Sequence, residues 1–143
     1  MRLSPIGADD GAFRDALLRA GLPLADLDDG QARYFALIEQ DTPIAFGGIA
    51  GAGADRLLRS VVVPEAARRA GIGSRIVALL AEEAKRDGAN RLWLLTIDAA
   101  DFFGRIGWRP VERAGAPEAI GRSAQFASIC PASATLMVRD LES

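Results

Sequence analysis

The spacing of the hydrophobic residues changes once in the middle of the chain, and the predicted elements are arranged around that change. Val61, Val62 and Val63 form a β-branched run that ends at Pro64, which indicates the end of a buried strand. Beyond it, apolar residues recur four positions apart, as on one face of a helix: Ile72, Ile76, Leu80 and Ala84. The pattern therefore predicts a strand, a loop and a long amphipathic helix, in that order.

Similar patterns predict the other elements of the chain. Asp9 or Asp10 can cap a first helix, Gly47-Gly48 indicates a bulge or a close backbone approach, and Gly88 is a typical stop for the long helix. Strands are expected at 3–6, 33–40, 44–51, 56–63, 91–97, 108–113 and 134–138, with a turn at 41–43 and further helices at 12–20, within 98–107 and at 117–126. This order predicts one α/β domain over residues 1–143.

The loop between the predicted strand and the long helix has the composition of an anion-binding site. Gly71 and Gly73 lie where the helix begins, and the first backbone N–H groups of a helix have no partner within it. Arg68 and Arg69 add two cations beside them. A connecting loop with incidental glycines is the alternative, but the arginines favour a phosphate or pyrophosphate site. A Walker loop is excluded because no lysine precedes Ser74.

The motif Arg68-x-x-Gly71-x-Gly73 after a valine-rich strand resembles the acetyl-CoA loop of the GNAT N-acetyltransferases, whose pattern is Gln/Arg-x-x-Gly-x-Gly/Ala. The segment 98–108 resembles a second family segment, Asn-x-x-Ala-x-x-Phe-Tyr-x-x-x-Gly-Phe. The resemblance covers about residues 1–140 and implies a mixed, splayed central sheet flanked by helices, with acetyl-CoA as cosubstrate. It assigns the following residues to acetyl-CoA binding: Val61, Val62, Val63, Arg68, Arg69, Ala70, Gly71, Ile72, Gly73, Ser74, Thr96, Phe103 and Arg105.

Two departures from the family pattern concern the chemistry. Thr96 stands where many members have Asn, and Phe103 stands where many have the Tyr that protonates the leaving thiolate. An ordinary core pair of Phe102 and Phe103 is therefore favoured, and a catalytically weak acetyl-CoA sensor becomes an alternative function. The chain has no histidine, so no triad chemistry is available, and no general base is singled out. The thioester oxygen would need an N–H donor, most simply from the backbone near Val61.

Two arginines are candidates for the acceptor site. Arg59 is expected, from strand alternation, to share a side with Val61 and Val63 and to face the cleft, where it could bind a substrate carboxylate. Arg122 is the second candidate, and an ion pair on the sheet face is the alternative for Arg59. The segments 57–60 and 126–134 resemble the small ArsN-type acetyltransferases of arsenic-resistance operons. The predicted acceptor is a small-molecule amine, with an amino acid or amino-acid-like toxin implied by that resemblance and a protein terminus as the alternative.

Composition limits the remaining classes. The net charge of −2 predicts no large basic surface for nucleic acid, and the apolar runs are too short to span a bilayer. Met1 is followed by no hydrophobic signal segment, so a cytoplasmic location is expected. The single cysteine, Cys130, excludes an internal disulfide, and without histidine a metal site is not expected. A homodimer is plausible because a small sheet with exposed late strands often pairs.

Overall fold

The computed structural model describes residues 1–25, 27, 32–69, 71–121 and 133–141. The strands are β1 Arg2–Ile6, β2 Ala32–Glu39, β3 Thr42–Ala50, β4 Asp55–Val62, β5 Arg91–Thr96, β6 Arg109–Val111 and β7 Thr135–Asp140. The helices are α1 Gly11–Arg19, α2 Ile72–Arg86, α3 Ala100–Arg105 and α4 Glu118–Gly121, with short 3-10 turns at Glu65–Ala67 and Arg113–Gly115.

The strands form one mixed sheet in the order β1-β2-β3-β4-β5-β7-β6. β4 and β5 pair in parallel, and every other neighbouring pair is antiparallel. The last strand, β7, lies between β5 and β6, so the short β6 becomes an edge of the sheet. The predicted mixed sheet flanked by helices is confirmed.

Local signals account for the ends of the two longer helices. The Asp10 side chain accepts a hydrogen bond from the Phe13 N–H at 3.0 Å, so Asp10 rather than Asp9 caps α1. α2 begins after Gly71, and its buried stripe includes every apolar residue that the fourfold spacing picked out. Gly88 adopts φ +99° beyond the last turn, as its role as a stop requires.

Hydrophobic clusters cover the two faces of the sheet. On one face, α2 packs its stripe against alternate residues of the meander strands, among them Leu37, Ala45 and Ile49. On the other face, α1 packs Phe13 and Leu17 against Tyr34, Phe46 and Val62. The side chains of Ala45 and Phe46 point to opposite faces, as alternation along β3 requires. These two faces are called the α2 face and the α1 face below.

Several element ends differ from the sequence prediction. The turn between β2 and β3 consists of Gln40 and Asp41, with φ of +50° and +64°, and β3 already begins at Thr42. The strand predicted at 108–113 is confined to Arg109–Val111. Of the helix predicted at 117–126, residues 118–121 are helical, and the remainder lies outside the described residues. None of the helices in the described ranges is long and apolar enough to cross a membrane.

Candidate functional site

The central strands β4 and β5 part within the sheet. They pair at Asp55 with Arg91, at Arg56 with Leu92 and at Leu57 with Trp93, and within the described ranges no pair follows. β4 continues to Val62 and β5 continues to Thr96, so each strand has several residues beyond the last pair. The sheet is therefore splayed at the carboxyl ends of these strands, as predicted.

A bulge on β4 lies at Ser60, three residues beyond the last β4–β5 pair. Gly48 pairs with Arg59 and Phe46 pairs with Val62, so β4 has one residue more than β3 over this stretch. Ser60 adopts φ +57°, which is rare for a residue with a side chain and marks the bulge. The bulge predicted at Gly47-Gly48 thus lies on the neighbouring strand.

The two glycines of β3 provide close approaches instead. A Cβ atom added at Gly47 would lie 2.6 Å from Leu80 Cδ1, and one added at Gly48 would lie 2.6 Å from Tyr34 Cδ1. The absence of side chains at these positions lets α2 pack closely on one face and lets the Tyr34 ring pack closely on the other.

Because of the bulge, the Arg59 side chain lies on the other face of the sheet from the one that strand alternation predicted. One extra residue reverses the alternation, so Arg59 and Val61 lie on opposite faces. Val61 packs with the α2 cluster, whereas the Arg59 guanidinium lies 5.7 Å from the centre of the Tyr34 ring on the α1 face. Arg59 is buried, with 4 % of its surface exposed, and its Nε donates to Ser60 Oγ at 3.2 Å. The prediction that Arg59 shares a side with Val61 and Val63 is wrong.

A cavity of about 350 Å³ lies at the carboxyl end of β4. Its lining brings together the strand end, the loop before α2, the first turn of α2 and the end of α1: Ala20, Leu22, Val61, Val62, Val63, Arg68, Arg69 and Gly73. Six of these residues are ones that the sequence assigned to a single ligand. The fold therefore places the strand end and the arginine–glycine loop around one space.

The two arginines of the loop have different partners. Arg68 Nε donates to the Val63 carbonyl oxygen at 2.9 Å, which turns its guanidinium back towards the end of β4. Arg69 forms an ion pair with Glu39, the last residue of β2. Gly71 is the N-cap of α2 with φ +90°, a conformation in which residues with side chains are strained.

The remaining predicted residues have more varied positions. Ile72 is buried in the core beneath α2, and Ser74 is half-buried in the first turn of that helix. Thr96 Oγ1 accepts a hydrogen bond from the Ala99 N–H at 3.0 Å, which shapes the turn into α3. Arg105 lines a different cavity, beside Pro110. Ala70 and Arg122 lie outside the described residues.

The two aromatic residues of α3, Phe102 and Phe103, contact different parts of the protein. Phe103 is buried and packs edge-on against Phe102 at 5.1 Å and Trp108 at 5.7 Å between ring centres, which agrees with the predicted core pair. Phe102 extends to the start of α2, where its Cζ would be 3.4 Å from a Cβ at Gly73. Phe102 therefore supports the first turn of α2, a contact that sequence spacing alone did not indicate.

Comparison with protein-family models identifies one family for this chain. A family model described as the acetyltransferase (GNAT) family matches residues 8–108, a range that includes β4, the loop and α2. Among curated proteins, no sequence match to the chain was found.

Solved structures agree in fold over the whole chain. Rv2747 from Mycobacterium tuberculosis, in complex with CoA and NLQ, has a TM-score of 0.78 at 18 % identity, covering 99 % of this chain and 100 % of its own. N-acetylglutamate synthase from Neisseria gonorrhoeae, complexed with coenzyme A and N-acetyl-glutamate, has a TM-score of 0.77 at 15 % identity. That match covers 100 % of this chain and 36 % of the synthase, so the chain spans about a third of that protein. A GNAT acetyltransferase from Elizabethkingia anophelis with acetyl-CoA bound has a TM-score of 0.71 at 15 % identity and 97 % coverage of both chains.

Proposed function

The chain belongs to the GNAT family of acetyltransferases, and we propose that it transfers the acetyl group of acetyl-CoA to the amine of a small molecule, with an amino acid as the best candidate. The observation that carries the proposal is the cavity in which the end of β4, where it has parted from β5, meets the arginine–glycine loop before α2. A ligand that occupies both parts needs an anionic end and an extended polar arm, and CoA has both.

The phosphates of CoA would bind at the loop. Arg68, the Gly71–Gly73 backbone and the positive end of the α2 dipole together form a cationic surface there. The pantetheine arm would follow the split, where its amides can bond to the backbone groups of β4 and β5 that no longer bond to each other. Acetyl-CoA supplies the thioester whose acyl group is transferred.

The bulge at Ser60 would serve the reacting carbonyl. It turns a stretch of β4 backbone out of the regular ladder next to the split, so an N–H group near Val61 can donate to an oxygen in which negative charge develops. Such a donor is in position before the reaction and needs no reorganisation.

The CoA thiolate can leave without a side chain that protonates it. A thiol with a pKa of about 8.5 forms a stable enough thiolate to leave without an acid, which is compatible with the buried Phe103 in place of the usual Tyr. The acceptor amine, with a pKa of about 10, must lose a proton before it attacks. Among the described residues that line the cavity none is a carboxylate, so water is the simplest proton acceptor.

The acceptor class is inferred from Arg59. Its guanidinium lies on the α1 face, two residues beyond the last β4–β5 pair and next to the bulge. An amine that approached from this face would place a neighbouring carboxylate near that cation, and arginine binds carboxylates well. Free amino acids and their phosphino or arsono analogues are therefore the first acceptors to test, including the toxins that the ArsN-type resemblance implies.

The test begins with a calorimetric titration of the protein with acetyl-CoA, followed by a thiol-release assay over amino acids, their phosphino and arsono analogues, simple amines, an aminoglycoside and short peptides. Binding together with turnover of a carboxylate-bearing amine supports the proposal. Turnover of peptides alone would move the function to protein termini. Binding with no turnover would favour an acetyl-CoA sensor, and absence of binding would end the proposal.

A further inference from the structure

We propose that Glu39 is a positioning residue for acetyl-CoA binding, because its ion pair with Arg69 fastens the phosphate loop to the β2–β3 hairpin. On this proposal Arg68 is the phosphate ligand and Arg69 is the tether, although the two arginines are adjacent in the chain. The inference rests on the proposed function of the loop.

Glu39, the acidic partner in this ion pair, is held in place by the β2–β3 hairpin. Glu39 is the last residue of β2 and pairs with Thr42 across a tight turn whose residues, Gln40 and Asp41, both have positive φ. The ladder shifts register once, between Leu37 and Ile38, and then continues to the pair of Ala32 with Ala50. A carboxylate at this position is therefore held by secondary structure, whereas the arginine that it binds, 30 residues later, is in a loop.

The two arginines differ in their local electrostatics. Arg69 is paired with a carboxylate, so much of its charge is compensated before any ligand arrives. Arg68 uses its Nε for the Val63 carbonyl, and its terminal nitrogens contact no acceptor among the residues that the structure describes. A phosphate at the end of β4 therefore meets the uncompensated cation of Arg68.

A tether improves affinity by lowering the cost of ordering the loop. A loop that is already fastened loses less conformational freedom when a ligand binds, so more of the contact energy appears as affinity. The opposite role for Glu39 is to compete with phosphate for Arg69, in which case its removal would tighten binding. Removal of the Glu39 carboxylate would weaken CoA binding in the first role and tighten it in the second, so the CoA affinity of one variant separates them.

The chain offers a matched control. Glu65 begins the 3-10 turn of the same loop, and its carboxylate contacts no partner within the described residues. Glu65→Gln removes one negative charge, as Glu39→Gln does, but from the loop itself and without breaking the ion pair with Arg69. A purely electrostatic effect of a carboxylate near the loop would appear in both variants.

The experiment measures the dissociation constant of CoA by calorimetry and the KM and kcat for acetyl-CoA. Glu39→Gln should weaken CoA binding about threefold, the size expected for a partly exposed ion pair, with kcat and the acceptor KM unchanged. Glu65→Gln should not weaken it. Arg69→Ala should weaken CoA binding by the same factor as Glu39→Gln, and the double variant Glu39→Gln/Arg69→Ala should weaken it no further. Arg68→Ala should weaken CoA binding about tenfold or more, because a charged hydrogen bond to phosphate is lost.

A charge exchange gives an independent readout. The variant Glu39→Arg/Arg69→Glu restores the pair in reverse and should recover much of the affinity that Arg69→Glu alone loses. Tighter binding in Glu39→Gln, or an Arg69→Ala effect as large as that of Arg68→Ala, would overturn the tether. If the unmodified protein binds no CoA, the proposed function fails as well, whereas normal wild-type binding with the wrong variant pattern overturns only this inference.

Discussion

Arg59 and Val61 lie on opposite faces of β4, although a single residue separates them. In a regular strand they would share a face. Ser60, with φ +57°, inserts the extra residue that reverses the alternation. This relationship places a cation on the α1 face and a valine on the α2 face at the point where β4 leaves β5.

The bulge depends on a residue that tolerates positive φ. Ser60→Val should lower the free energy of unfolding by about 1–2 kcal/mol, since a β-branched side chain is strained in the left-handed region. Ser60→Gly should retain both the bulge and the acetyl-transfer activity. Urea unfolding and thiol release check both variants, and a Ser60→Val protein of unchanged stability and activity would contradict the role of the bulge.

Arg59 should determine the preference for carboxylate-bearing acceptors. Arg59→Gln should raise the KM for an amino acid about tenfold or more, because a charged, two-point hydrogen bond is lost, while the KM for a simple amine of equal size changes little. The measurement is the ratio of the two KM values. Equal increases for both acceptors would assign Arg59 to the stability of the α1 face.

Gly71 should matter for both conformation and binding. Gly71 (φ +90°) and Gly88 (φ +99°) each have open space around an added Cβ, so alanine at either position should cost about 1–2 kcal/mol of stability through backbone strain alone. Only the change at Gly71 should weaken CoA binding. Gly71→Glu should weaken it about a hundredfold or more, because a carboxylate would face the phosphates. Calorimetry compares the three variants, and unchanged affinity in Gly71→Glu would contradict the phosphate site.

Gly48 should be intolerant of any side chain. A methyl group there would lie 2.6 Å from Tyr34 Cδ1 and 3.3 Å from the Arg33 carbonyl oxygen, so Gly48→Ala should destabilise the fold by about 1–3 kcal/mol. Gly104→Ala is the control, because α3 has open space at that position and alanine should stabilise a helix by about 0.5–1 kcal/mol. Thermal unfolding of both variants checks the contrast, and similar midpoints would refute it.

Asp87 should make the stability depend on acidic pH. A hydrogen bond of 2.7 Å from Arg56 Nη1, with the nearby charge of Arg33, holds the pKa of Asp87 below its ordinary value of 3.8. Because the folded state lowers this pKa, the stabilisation is complete above the unfolded-state value and is lost as the pH falls through the folded-state value.

The measurement is chemical unfolding of the wild type and Asp87→Asn between about pH 6 and pH 2. The difference between the two proteins should be largest near neutral pH and should shrink below about pH 4. In an Arg56→Met background the pH-dependent difference should be reduced, because the main cause of the pKa shift is absent. A constant difference at all pH values would contradict the assignment.

Much of the scaffold could be predicted from local pattern. The stripe from Ile72 to Ala84, the positive-φ stop at Gly88 and the glycines at the start of α2 each depend on residues a few positions apart. For the same reason the loop motif was recognisable, and the family model that matches residues 8–108 covers it. The aromatic segment after β5 was also placed correctly as a short helix with Phe103 in the core.

Contacts between distant residues were predicted poorly. The pairing of Glu39 with Arg69 joins a strand end to a loop 30 residues later, and neither residue type indicates its partner. The face of Arg59 depends on the register between β3 and β4, which the periodicity of β4 alone does not contain. Arg105, assigned to the same ligand by motif, lies in a separate cavity because α3 turns it towards β6.

The sequence by itself determined the order of strands and helices along the chain and the position of the arginine–glycine loop before α2, because hydrophobic period, glycine and proline act over a few neighbouring positions. The tertiary structure alone decided where β4 leaves β5, which face receives Arg59 and which arginine of the loop forms an ion pair with Glu39. These features depend on strand register and on side chains that meet through space, and such pairings are fixed only when the whole sheet is assembled.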